Sequence, residues 1–388
     1  MTLRQEVRIG MIGYNFMGKA HSNAYRQLPF FFEKSAVPVL KAIAGRNEEE
    51  VQKASRKMGW ASYETDWRKL IERDDIDVID IATPNHTHVE MAIAALEAGK
   101  HIICEKPLAI TLEEAKRMKA AADRSGKVNM LMHNYRFAPA VQFAKQLICE
   151  GKLGEIRHIR AVYLNQSMID PNRPFRWRLS KEIAGYGALG DIGSHIIDLA
   201  SFLVGDFKKV SGMMETFVKS RPDAGPDGQP NYEKMIEVDV DDTSAFLAKF
   251  ENGAVGVFEA TRYAGGNKNG NRFEINGEKG SIRWDFEHMN ELQVYFTDED
   301  ELLRGFRTIN CTEMKHPYAG NYWPPGHILG YEHTFISLIY ELINGVANGL
   351  NPQPNFADGV YNQAVMEAVS QSSELGRWVN ISDLLGPQ

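Results

Sequence analysis

Cysteine is scarce in this 388-residue chain: Cys104, Cys149 and Cys311 are odd in number and form no C-x-x-C pair. That argues against a disulfide framework or a zinc site and fits reduced thiols in the cytoplasm. No stretch approaches the ~18 apolar residues that a membrane span requires. Positive charge is not in excess, since Lys+Arg total 44 against Asp+Glu 51 for a formal net charge of −7. No cationic surplus is left to neutralise nucleic-acid phosphates. A secretory leader is not expected either, because residues 1–5 run straight into the apolar segment Val7 to Ile12 with no small-residue cleavage site. Internal repeats and low-complexity tracts are missing as well. What is present, 43% hydrophobic and 10% aromatic residues, is enough for a sizeable core and excludes wholesale disorder. At roughly 150 residues per domain, the length predicts two domains.

The first third alternates short apolar runs with amphipathic stretches. Strands are expected at Val7 to Ile12, Val37 to Ala44, Asp77 to Ala82, His101 to Cys104 and Val128 to Leu131, separated by helical segments. This is the rhythm of βαβ units, whose parallel sheet is covered on both faces and can be almost wholly apolar. Thr111, with Glu114 three residues on, reads as a helix cap. After about residue 133 the rhythm changes. A helix around Asp191 to Leu203 precedes consecutive strands at Ser244 to Phe250, Ala254 to Thr261, Arg272 to Ile275, Ser281 to Phe286 and Leu292 to Phe296, with turn-formers between them. The expected architecture is an N-terminal doubly wound parallel sheet over residues 1–133. An α+β domain with a large, mostly antiparallel open sheet follows over 134–388. The Pro-, Gly- and Asp-rich segment Arg221 to Tyr232 reads as an exposed loop.

Gly13-Tyr14-Asn15-Phe16-Met17-Gly18 follows the first strand and opens the first helix. A dinucleotide fingerprint needs that context: a tight glycine turn, close backbone approach and helix amides facing a pyrophosphate. Asn15 replaces the middle glycine, and a strand–helix turn without a ligand would also account for the pattern. The carboxylate expected after the second strand, for a ribose 2′-hydroxyl, is absent; the chain reads Ala44-Gly45-Arg46-Asn47. Arg46 could pair with a 2′-phosphate, which favours NADP and leaves NAD open, or it could be an ordinary solvated residue.

Three further groups could carry chemistry. Thr83-Pro84-Asn85-His86-Thr87-His88 leaves the carboxyl end of a parallel strand, where ligands of doubly wound sheets bind. His86 and His88 have no third ligand nearby, so a rigid turn is the better reading than a metal site. Cys104-Glu105-Lys106-Pro107 puts a lysine at the same sheet edge, where it could donate a hydrogen bond to a reacting oxygen; Pro107 could aim it through a cis bond. Asp191, His195 and Asp198 fall at i, i+4 and i+7 on a helix after a glycine-rich loop. Asp191 is expected in the first helical turn and His195 as a base, the plain alternatives being a helix-start carboxylate and a core histidine.

Taken together, the Gly13 turn, Thr83-Pro84, Glu105-Lys106-Pro107, Asn134-Tyr135-Arg136 and Asp191 with His195 resemble the glucose–fructose oxidoreductase/inositol dehydrogenase/MocA family of NAD(P)-dependent dehydrogenases. The stretches Phe16 to Ser22, Ile81 to His86, His101 to Leu108 and Ala184 to Ile192 are similar to sugar dehydrogenases acting at C3. The resemblance implies Lys106 and His195 as the catalytic pair, assisted by Asp191. It implies cofactor contacts from Gly13, Asn15, Phe16, Met17, Gly18, Arg46, Thr83, Pro84, Asn85, His88, Glu105 and Lys106. Tyr135, Gln166 and Trp177 would join Asp191 and His195 around a sugar or polyol held between the domains. A homodimer or homotetramer through the C-terminal sheet is also implied. Other chemistries on such a scaffold are redox-initiated glycoside cleavage or elimination, sugar–sugar transhydrogenation with retained cofactor, and nucleotide sensing without turnover.

Overall fold

The computed structural model describes residues 4–33, 36–225 and 228–386. Residues 1–3, at the start of the segment where no leader is expected, and residues 226–227 of the expected loop lie outside them. The chain divides into two compact units, Met1–Phe137 with Leu329–Val360 and Ala138–Ile328 with Tyr361–Gln388.

The first unit is built on a six-stranded, all-parallel sheet of order β3-β2-β1-β4-β5-β6. Its strands are β1 (Glu6–Ile12), β2 (Val37–Ala44), β3 (Ser62–Glu64), β4 (Val78–Ile81), β5 (His101–Cys104) and β6 (Asn129–Leu131). Helices α1 (Phe16–Phe31), α2 (Glu48–Met58), α3 (Trp67–Ile71), α4 (His88–Glu97) and α5 (Leu112–Ser125) make the crossovers. Two-sided cover explains why β4 is buried at every position. Thr111 caps α5, its hydroxyl accepting the Glu114 amide at 3.2 Å; the Glu114 carboxylate reaches back to the Ile110 amide. β3 is Ser-Tyr-Glu, half-buried at each position, and so leaves no apolar run in the sequence.

The expected split at residue 133 does not describe the C-terminal part, because residues 329–360 return to the first unit. Asn134 Nδ2 donates to Thr334 Oγ1 at 2.8 Å, Arg136 pairs with Asp358 at 3.1 Å, and Asn129 Oδ1 accepts the Phe356 amide at 2.9 Å. Phe32 stacks on Tyr340 with ring centroids 4.1 Å apart. These are long-range contacts with no local signature.

The second unit carries β7 (Ile156–Leu164), β8 (Phe207–Glu215), β9 (Ser220–Ala224), β10 (Pro230–Glu237), β11 (Thr243–Phe250), β12 (Val255–Thr261), β13 (Gly270–Gly277), β14 (Gly280–Asp285), β15 (Glu291–Phe296), β16 (Arg307–Asn310) and β17 (Val379–Asn380). Nine of them form one sheet of order β16-β15-β14-β13-β7-β12-β11-β8-β17. Only the β7–β12 pair is parallel; the other pairs are antiparallel. β11 and β12 alternate buried and outward positions, the pattern of a sheet with one face on the core. Residues 221–224 and 230–232 of the segment expected as a loop belong instead to the antiparallel β9–β10 pair. Its anchor is Arg221, fully buried, with Nη1 and Nη2 each donating at 2.6 Å to the Asp170 and Met168 carbonyls. Polar composition concealed a strand that tertiary contacts hold in place.

Candidate active site

The turn after β1 has the features a dinucleotide requires. Gly13 adopts φ +108°, and a Cβ there would lie 2.4 Å from the Ala82 carbonyl oxygen, so only glycine allows β1 to turn this close to the end of β4. Gly18 sits as tightly against the Gly13 carbonyl. Asn15 is the N-cap of α1 and makes no side-chain cap bond, and the first turn of α1 holds no acidic residue. Asn15 and Phe16 are exposed and Met17 is half-buried. A helix start without a capping side chain or a carboxylate presents its amides to an anion, and these residues fit a diphosphate. Arg46, directly beyond β2, is exposed.

Two more turns leave the same strand ends. Thr83 and Pro84 follow β4, with Thr83 Oγ1 2.6 Å from Thr87 Oγ1, and Asn85 is buried behind them. His88, expected as a cofactor contact, is fully sealed. Its Nε2 lies 3.0 Å from the Thr83 carbonyl and its Nδ1 3.1 Å from that of Pro107, so the ring ties one turn to the other. Burial lowers its pKa against the pull of those carbonyls and of Glu105. Glu105, also expected to touch cofactor, turns inward: Oε1 is 3.0 Å from His21 Nε2, and Oε2 accepts the Lys106 amide at 3.0 Å. Lys106 itself is half-buried and is joined to Pro107 by a cis peptide bond. Tyr135, expected in the second domain, belongs to the first unit, where it is buried with its ring 6.3 Å from that of Tyr331.

In the second unit, Asp191 lies in the first turn of a helix, as expected, but that turn is widened. Leu189–Gly193 form a widened π turn, and the α-helix starts at Ser194 and runs to Leu203. The helix start therefore acts on Asp191 as expected, and two guanidinium groups add to it. Arg178 Nε lies 3.6 Å from Asp191 Oδ1 and Arg262 Nη1 lies 4.0 Å from Oδ2. Arg178 also covers the ring of its chain neighbour Trp177 at 4.3 Å. His195 and Asp198 are buried while Asp191 is partly exposed; the His195 ring lies 5.9 Å from that of Tyr163. Gln166 Oε1 accepts the Gly266 amide at 3.0 Å.

The loop before the π turn is held by buried Asp241. Its carboxylate oxygens accept the Gly187 and Leu189 amides at 2.7 and 2.8 Å; its carbonyl accepts the Ala188 amide at 2.9 Å and Arg262 Nη2 at 3.0 Å. Burial pushes the Asp241 carboxyl up, against the pull of Arg262 and the loop amides. Gly187 is required here, because a Cβ would sit 1.8 Å from the Asp241 carbonyl oxygen. The Asp191 amide then donates to the Gly187 carbonyl at 2.9 Å.

Residues 7–133 match the family model described as "Oxidoreductase family, NAD-binding Rossmann fold", and residues 141–283 match the GFO/IDH/MocA C-terminal domain. The chain is 44% identical to levoglucosan dehydrogenase of Pseudarthrobacter phenanthrenivorans, over 98% of this chain and 99% of that one. The chain belongs to the GFO/IDH/MocA oxidoreductase family. Among solved structures, an oxidoreductase domain protein from Kribbella flavida is 50% identical with a TM-score of 0.93, covering 97% of this chain and 99% of its own. A levoglucosan dehydrogenase in complex with NADH and levoglucosan is 45% identical with a TM-score of 0.92, covering 97% and 100%.

Two groups of residues at this GFO/IDH/MocA site escape sequence reading. Asp80 had a signal, being the one carboxylate within the otherwise apolar Val78–Ile81; a buried charge there demands a partner. Its partners His21 and Tyr25 follow from the fold. Arg178 and Arg262 had no signal, since nothing local tells an arginine beside Asp191 from a solvated one. Among the described residues, no group of three or more His, Cys, Asp or Glu side chains gathers in a way that could hold a metal ion. No helix among them is long and apolar enough to cross a membrane.

Proposed function

We propose that the protein is an NAD-dependent dehydrogenase that oxidises a ring hydroxyl of a sugar, anhydrosugar or inositol. One observation carries this reading: an open dinucleotide turn after β1 and a lysine just beyond β5 of the same sheet occur in a chain similar over 98% of its length to levoglucosan dehydrogenase. The bound nicotinamide would supply the hydride acceptor. Gly13, Asn15, Phe16, Met17 and Gly18 present backbone to the diphosphate, with Thr83, Pro84 and Asn85 beside them. Lys106 Nζ donates a hydrogen bond to the oxygen on which charge develops, and the imidazole of His195 accepts the hydroxyl proton. Asp191, flanked by Arg178 and Arg262, holds a substrate hydroxyl or orients the base. Trp177 and Tyr135 suit a sugar, whose ring faces are apolar and whose rim is polar.

NAD replaces the NADP suggested by the missing carboxylate after β2. An exposed Arg46 does not by itself select a 2′-phosphate, and the similar enzyme was solved with NADH. Oxidation at C3 is the position that the sequence resemblance favours. Three free thiols support a reducing compartment, the cytoplasm. Met213, Leu247, Val255 and Val257 on the outward face of the large sheet support a second copy of this chain as its cover, in a dimer or tetramer.

The test is reduced-nicotinamide absorbance over a panel of monosaccharides, anhydrosugars and inositols with both cofactors, followed by NMR of the product to locate the carbonyl. Lys106→Ala and His195→Ala should each lower kcat on the order of 10²-fold or more while NADH binding persists. Wild-type turnover in either variant overturns its role, and a higher kcat/KM with NADP overturns the cofactor assignment.

A further inference from the structure

A chain of buried polar groups runs behind the Lys106 turn. His21, on the second turn of α1, has no exposed surface. Its Nδ1 lies 2.9 and 3.1 Å from the two oxygens of Asp80 on β4, and its Nε2 lies 3.0 Å from Oε1 of Glu105, just beyond β5. Tyr25, one turn further along α1, donates its hydroxyl to Asp80 Oδ2 at 2.9 Å. At the other end Glu105 Oε2 accepts the main-chain N–H of Lys106 at 3.0 Å. Each ring nitrogen of His21 faces a carboxylate, so the arrangement requires both to carry protons. Burial alone would lower the His21 pKa, but Asp80 and Glu105 overcome it and push the value up to about 10. Burial likewise acts to raise the Glu105 pKa, and His21 and Lys106 together bring it below the ordinary carboxylate range.

Burying three charged groups is a poor way to gain stability, because well-packed apolar residues of similar volume do as well or better. The chain also has direction: it begins on the helix that closes the dinucleotide turn and ends on the main chain of Lys106. We propose that His21 is a positioning residue for Lys106, holding Glu105 so that Glu105 fixes the backbone from which the lysine projects. The proposal rests on Lys106 having the role assigned to it above.

The test uses two amides of different reach. In His21→Gln the side-chain amide takes the place of Nε2 and can still donate to Glu105. In His21→Asn it takes the place of Nδ1 and can reach only Asp80. Displacing a catalytic group by about 1 Å costs on the order of 10²-fold, so kcat of His21→Asn should fall about 10²-fold while KM and the fluorescence-measured Kd for NADH stay within about threefold. His21→Gln should remain within about tenfold of wild type. Hydrogen–deuterium exchange over residues 102–110 is read in the same proteins and needs no substrate. It should accelerate in the Asn variant and stay near wild type in the Gln variant. Equal kcat and equal exchange in the two variants overturn the proposal, as does wild-type behaviour in both. If the Asn variant does not fold, Glu105→Leu replaces it: it offers no acceptor to His21 or to the Lys106 N–H, and unchanged exchange over 102–110 there overturns the proposal. A wild-type protein that oxidises no sugar in the panel removes the proposed function alone, and the exchange comparison still decides the positioning.

Discussion

Replacing Gly187 with alanine should damage the second unit and its site together. The added Cβ would lie 1.8 Å from the Asp241 carbonyl oxygen, 2.8 Å from that carbonyl carbon and 2.7 Å from Arg262 Nη2. The first two are backbone atoms with no rotamer to change. Reaching ordinary van der Waals separation requires the loop to retreat by roughly 1.5 Å. That distance exceeds the tolerance of the Gly187, Ala188 and Leu189 hydrogen bonds to Asp241, now at 2.7, 2.9 and 2.8 Å. Each buried bond lost without replacement costs about 1–3 kcal/mol, and partial relaxation recovers some of the total. A destabilisation of about 3–5 kcal/mol is therefore expected, at the upper end of what point mutations do. Urea denaturation followed by tryptophan fluorescence measures it, with Trp284 buried in the second unit as the reporter. Because the Asp191 amide is bonded to the Gly187 carbonyl, kcat should fall by about 10²-fold in the same variant, while NADH affinity, a property of the first unit, stays near wild type. A Gly187→Ala protein within about 0.5 kcal/mol of wild type and with unaltered kcat would refute the reasoning, since the tightest contact is with a backbone oxygen that cannot rotate away.

Gly13→Ala should have the opposite distribution. With φ at +108° and a Cβ 2.4 Å from the Ala82 carbonyl oxygen, the turn must open, and NADH affinity by fluorescence titration should weaken at least tenfold while the second unit's urea midpoint does not move. Stability should fall with alkaline pH through His21. Its folded pKa near 10 lies above the unfolded value of about 6.5, so its contribution is complete below the unfolded value and is lost as pH rises through the folded one. The decline in urea midpoint on raising pH from about 7 to about 9.5 should flatten in His21→Gln; equal slopes count against the charged ring. Leu247→Glu with Val257→Glu, neighbours across the β11–β12 pair on the outward face, should lower the mass of the proposed dimer or tetramer to that of one chain by light scattering, and an unchanged mass removes that face as the interface.

What the sequence determined by itself is local. Val7 to Ile12 is apolar because a parallel strand covered on both faces meets no water, and the glycine turn after it follows from backbone sterics at Gly13. The same logic made the five apolar stretches of the first sheet and the hairpin strands from Ser244 to Phe296 readable, together with the Thr111 cap and the strand-end position of Lys106. Tertiary structure decided everything that depends on a distant partner. Residues 329–360 join the first unit through Asn134, Arg136 and Asn129. A charged segment becomes the antiparallel β9–β10 pair because Arg221 finds the carbonyls of residues 168 and 170. Asp191 acquires two arginine partners that no local pattern announces. His88 and Glu105 look like cofactor contacts in the sequence, yet both are turned inward. The reason is common to all of these: periodicity reports which side of an element avoids water, whereas a buried charge reports nothing until the fold supplies the group that pairs with it.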